Sequence, residues 1–183
     1  GIADIAQILG AVVDFIKSLA AEPFLFPAMG SHGGATAEGQ VAMLAQLGVT
    51  EASVKAPIVS SMETEEIGLT EDNVPVFIDK NALAADHIVV VNRIKSHTKF
   101  KAPIESGLMK MMAIGMGKLN GAQLYHKAAV PYSFFKIITD AARMVLTEAP
   151  IICAVGILEN AYGQTAKISA LKAADIERQE QDL

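Results

Sequence analysis

Cysteine is almost absent. The single Cys153 can form no disulfide within the chain, and its place in the apolar run IICAVGIL reads as a buried core thiol suited to a reducing cytoplasm. Excess positive charge is missing too. A formal net charge of -5 over 183 residues, with a pI near 5.3, argues against nucleic acid or an anionic membrane as partner, because either favours a broad basic face. No apolar run approaches the roughly 18 residues of a membrane span. Asp4, Gln7, Asp14 and Lys17 stand where a secretory signal would be apolar. Internal repeats, low-complexity tracts and linkers are lacking as well, so the chain reads as one domain suited to small-molecule chemistry. With 51% hydrophobic and 19% charged residues it can build a sizeable core. It opens on Gly1 just before a helical pattern and stops at Leu183 within DIERQEQDL, a helix in progress, which leads us to expect a fragment.

The pattern of the chain predicts an α/β fold. Ile2, Ile5, Leu9, Val12, Ile16 and Leu19 lie on one stripe and predict an amphipathic helix over 2–20. Phe24 to Pro27 reads as a short buried strand, GSHGG as a tight turn after it, and Thr36 as the cap of a helix over 37–47. Between 49 and 86 the signals are weak: short strands near Ile58 to Ser60, Glu65 to Leu69 and Pro75 to Ile78, then a short helix from Lys80. His87 to Val91 is the clearest central strand, and a long loop is expected after it. A helix from Pro131 to Glu148, a strand in IICAVGIL, a turn in ENAYGQ and a last strand over 167–171 complete the reading. Strands alternating with helices imply a three-layer α/β, Rossmann-like domain, with a mostly parallel sheet and helices on both faces.

Chemistry concentrates between Asn92 and His126. This stretch holds two of the four histidines, six of the fifteen basic residues and four of the eight methionines. Arg93, Lys95, Lys99 and Lys101 lie within nine residues, as a grip for phosphate or carboxylate would, or as a solvated basic loop would. His97 stands among them. Earlier in the chain, His32 follows Gly30 and precedes Gly33, where it reads as an acid/base or as a turn-stabilising hydrogen-bonding residue. Met109, Met111, Met112 and Met116 read as pliable core packing. Gly107, Gly115, Gly117 and Gly121 would be costly in a plain helix and suggest a close backbone approach to something bulky. Lys110, flanked by methionines, reads as a desolvated nucleophilic amine or as a snorkelling surface lysine.

GSHGG before a helix, then SH, Lys110 and LYH ending at His126, resembles the amino-terminal domain of the nickel-dependent lactate racemase family. These are racemases and epimerases of 2-hydroxyacids that use a nickel-pincer nucleotide. The resemblance implies His32 and His97 as the acid/base pair, and Lys110 as the residue bonded covalently to the cofactor. It also implies His126 as the nickel ligand, sixteen residues after the lysine. Gly30, Gly33, Lys95 and Lys99 are expected to line the cofactor. The resemblance further implies a cytoplasmic enzyme whose carboxyl-terminal domain follows this chain, so that the isolated piece is inactive. A homo-oligomer and a 2-hydroxyacid substrate are the partners expected, with no nucleic acid and no membrane. A relative that binds a nucleotide or metal cofactor without racemising is the alternative.

Overall fold

The computed structural model describes residues 1–97, 101–128 and 133–183, and of 126–128 the backbone alone. Helix α1, Ile5–Ser18, forms because Ile5, Ile8 and Val13 fall on one buried stripe. Helix α2, Ala37–Gln46, starts where the Thr36 hydroxyl accepts the Gly39 N–H at 3.0 Å. The short α3, Glu51–Val54, is opened by a reciprocal cap between Thr50 and Ser53. An antiparallel hairpin follows, β1 Thr64–Leu69 and β2 Pro75–Asp79, with a bulge between Glu66 and Gly68. Asp79 ends the hairpin and caps α4, Lys80–Leu83, through the N–H groups of Asn81 and Ala82.

Strand β3, Ile88–Arg93, expected to be central, lies instead at an edge of the three-stranded second sheet. It pairs in parallel with β4, Ile151–Glu159, which pairs antiparallel with β5, Thr165–Lys172. The antiparallel partner follows from chain length. Five residues between β4 and β5 allow a hairpin but not the crossover of a dozen or more residues that a parallel strand needs. Between β3 and β4 run α5, Leu108–Lys110, a π-helical turn, Met111–Gly115, then α6, Lys118–Ala128, and α7, Phe134–Glu148. Helix α8, Ile176–Asp182, closes the chain. Successive strand residues point to opposite faces, and both faces are covered. Val91, Val155 and Ile157 pack with Ile5, Ile8 and Val13 of α1. Ile88, Val90 and Ala154 pack with the hairpin, Met109, Met112 and the apolar face of α7. The result is an α/β fold with helices on both faces of a mixed sheet.

Three further local expectations change. Phe24 to Pro27 is not a sheet strand: Leu25 alone bridges Ile58, accepting from Val59 and donating to Pro57. Pro23 and Pro27 lack the N–H groups a ladder would need. The loop expected after β3 is helical from Leu108, and its methionines 109, 112 and 116 are at most 1% exposed. Cys153 is half-buried rather than enclosed, though burial still pushes its thiol up.

Candidate functional site

The turn that carries His32 needs left-handed backbone at Gly30, Gly33 and Gly34, with φ of 57°, 66° and 67°. It also needs closeness. A Cβ on Gly39 would lie 1.8 Å from the Gly33 carbonyl oxygen, so the turn rests directly on the first residues of α2. His32 is exposed, and its Nδ1 lies 2.6 Å from the Met29 carbonyl. Only a protonated Nδ1 can donate there, which leaves Nε2 with its lone pair turned to other partners.

A buried polar network fixes that turn from below, and no local pattern in the chain announces it. Gln40 Nε2 donates to the carbonyls of Gly30, at 2.8 Å, and His32, at 3.3 Å. Gln40 Oε1 accepts from Lys118 Nζ at 3.1 Å. The same ammonium donates to the Pro27 carbonyl and lies 3.0 Å from Asp79 Oδ2. Gln40, Asp79 and Lys118 are all fully buried. Burial pushes the Lys118 amine down and Asp79 opposes that by favouring the charged form. Lys118 also holds a positive φ of 51°, a conformation that non-glycine residues keep only where surrounding contacts enforce it.

The turn is tied to the helical stretch that carries Lys110. Gly30 N–H donates to the Gly115 carbonyl at 3.1 Å. A Cβ on Gly30 would meet Ile114 at 3.3 Å and Ala122 at 3.8 Å, positions about one helical turn from Lys110 and His126. Lys110 is half-buried, with its ammonium 5.9 Å from the centre of the Phe134 ring. Burial first, and the charge of Lys95 second, hold its amine below the ordinary lysine range. The π-turn beginning at Met111 is a feature that recurs at functional sites.

His97 belongs to a different loop. Lys95 N–H donates to Ser106 at 2.8 Å, and the Glu105 carboxylate accepts the N–H of His97 at 2.5 Å and of Ala102 at 3.2 Å. The His97 N–H holds the Glu105 carboxyl below its usual range. This hairpin borders a cleft of about 510 Å³, lined in part by Arg93, Lys95, Ser96, Glu105, Glu159 and Glu180, outside the carboxyl ends of β3 and β4. Ligands bind at that edge in open α/β sheets. The His32 turn does not line the cleft. Of the expected basic cluster, Arg93 is already paired with Glu159, while Lys95 is exposed. Lys99 and the side chain of His126 lie outside the described residues. Among the described residues no group of three or more His, Cys, Asp or Glu could hold a metal ion. Among them no helix is long and apolar enough to cross a membrane.

Residues 6–174 match the profile of a family described as a domain of unknown function, DUF362. The chain belongs to the DUF362 family. No curated protein matches this DUF362 chain. In three dimensions it is similar to the lactate racemase apoprotein from Thermoanaerobacterium thermosaccharolyticum, with a TM-score of 0.61 and 17% sequence identity. That likeness covers 76% of the DUF362 chain and 36% of the racemase. At this identity it shows the fold.

Proposed function

We propose that this DUF362 chain is the cofactor-bearing domain of a racemase or epimerase of a 2-hydroxyacid, completed by a carboxyl-terminal domain and resident in the cytoplasm. The observation that carries the reading is Lys110, a half-buried amine held below the ordinary lysine range, immediately before a π-turn bonded to the turn of His32. These residues fit a nickel-pincer nucleotide in one decisive respect, because covalent attachment needs a neutral amine shielded from water. A group that brings its own nickel ligands also suits a chain whose described residues form no metal cluster of their own. Lys110 would hold it covalently, His126 would supply an imidazole to the metal, and Gly30, Gly33, Lys95 and Lys99 would border it. The bound group would supply nickel and an acceptor for the α-hydrogen as hydride.

The protein's own part is proton transfer and orientation. His32, with Nδ1–H held by Met29, takes the substrate hydroxyl proton at Nε2 as the α-carbon becomes a carbonyl. His97 would supply the proton to the oxygen when the keto acid is reduced at its other face. The reverse direction exchanges the two roles. Lys95, exposed beside the loop of His97, would attract the substrate carboxylate.

Mass spectrometry of the full-length protein, made with the cofactor's assembly enzymes, tests the reading. An adduct on Lys110 that disappears in Lys110→Ala is expected, together with loss of optical rotation from a resolved 2-hydroxyacid. Replacing His32 or His97 by alanine should keep the adduct and lower turnover by about 10² to 10⁴. An adduct that survives Lys110→Ala would sink the anchor. An adduct with no turnover on any 2-hydroxyacid would identify a non-racemising cofactor binder.

A further inference from the structure

Helix α5 begins at a residue that cannot cap it. Gly107 has no side chain, and the first N–H groups of a helical stretch need acceptors. The acceptor comes from 71 residues away: Glu180 Oε2 takes the Met109 N–H at 2.9 Å. Glu180 is 5% exposed, and a Cβ on Gly107 would lie 2.1 Å from its Oε1, so glycine is what lets the carboxyl in. From the other side Asn92 Nδ2 donates to the Gly107 carbonyl at 2.8 Å. Gly107 is thereby gripped between the end of β3 and α8, one turn before Lys110. Leu108 and Met109, which separate the clamp from the lysine, are fully buried.

We propose that Glu180 is a positioning residue for Lys110, holding the first turn of its helix closed so that the amine stays shielded from water. The proposal rests on the reading of Lys110 as the reactive amine. Among the described residues the neighbouring elements carry other charged groups. Arg93 is paired with Glu159, Glu105 is engaged by backbone N–H groups, and Lys95 is the cation that acts on Lys110. On α7, Lys136 is bound to Asp72 and Asp140, and Arg143 to Glu177. On α8 itself Arg178 pairs with Asp175 and Asp182. Among the described residues Oε1 of Glu180 makes no hydrogen bond, and burial pushes the carboxyl up to about 7. A carboxyl kept in such a place at that cost has a specific partner, and the partner here is the helix start.

Acylation of the purified protein by acetic anhydride, followed at Lys110 by peptide mass spectrometry across pH 6 to 10, reads the amine directly. In the unaltered protein Lys110 should titrate below an exposed lysine such as Lys167. Glu180→Ala should raise the Lys110 midpoint by roughly one unit, whereas Glu180→Gln, which keeps an acceptor oxygen, should stay within about 0.3 units. Gly107→Ala, which displaces the carboxyl without removing it, should copy Glu180→Ala and serves if that variant fails to fold. A Lys110 midpoint unmoved in folded Glu180→Ala or Gly107→Ala would overturn the proposal, because it would leave Glu180 as a tether for α8 alone. Absence of a cofactor adduct on full-length protein would overturn the proposed function and leave this result standing.

Discussion

Lys110 and Lys118 stand eight residues apart on one helical stretch, and both have exchanged water for protein. What differs is the neighbour. Lys118 faces Asp79 at 3.0 Å and two neutral acceptors, so its charge is compensated and the amine is spent on structure. Lys110 lies over an aromatic ring and feels the like charge of Lys95, and among the described residues no carboxylate opposes its burial, so the neutral form gains. Burial pushes both amines down, the half-buried Lys110 and the fully buried Lys118, but among the described residues only Lys118 has a carboxylate to oppose it, which divides the two into a fastener and a reagent.

The largest effect should come from breaking the fastener. Lys118→Met leaves a buried Asp79 carboxylate unpaired and should cost about 3–5 kcal/mol in urea denaturation, while adding Asp79→Asn should recover part of the loss. Lys110→Met, by contrast, should leave stability unchanged or raise it. Equal losses at the two positions would dissolve the distinction.

The next effect lies on the Lys110 side, in Glu180. Its folded pKa of about 7 exceeds the ordinary carboxyl value of 4.5, so the folded state binds more protons than the unfolded state in that window. Stability should therefore fall as pH rises from about 4.5 to about 7. Glu180→Gln should flatten that slope and raise stability at pH 8 by up to about 3 kcal/mol, less whatever the weaker cap removes. Denaturation midpoints measured at pH 5 and pH 8 decide it. A slope that persists in Glu180→Gln would place the titration elsewhere.

The smallest effect is the control. Lys55 meets Asp14 at 2.8 Å, a pairing as close as that of Lys118, but with the two side chains 62% and 53% exposed. Lys55→Met should change stability by less than about 1 kcal/mol. A larger loss would show that geometry, and not burial, sets the strength of these pairs.

Much of the fold was legible because it follows local period and punctuation. The stripe of α1, the cap at Thr36, the valines of β3 and the apolar run of β4 each state their structure within a few residues. The Lys118–Asp79–Gln40 network was not legible. Its members are scattered from 40 to 118, and each one alone resembles an ordinary surface residue. The helix after Gly107 is hidden for a related reason: its glycines read as costly in a plain helix and as marks of a close approach. They do mark a close approach, but by protein backbone, since a Cβ on Gly115 would lie 2.4 Å from the Ala28 carbonyl oxygen. The basic cluster after β3 misled in part, because the partner of Arg93 lies 66 residues away at Glu159. Lys110 was readable as a desolvated amine from its methionine neighbours, but Glu180 was hidden in a charged helix.

The π-turn bears on the spacing between Lys110 and His126. In an uninterrupted α-helix sixteen residues make about four and a half turns, which would set two positions at nearly opposite azimuths. Here the Met116 N–H returns to Met111, five residues back, and residues 116 and 117 interrupt the helix before Lys118 restarts it. The interruption, not the helical period, fixes the angle between the two positions. Deleting one residue from Met111–Gly115 would turn everything ahead of it by about 100° relative to α6 while shortening the chain by one amino acid.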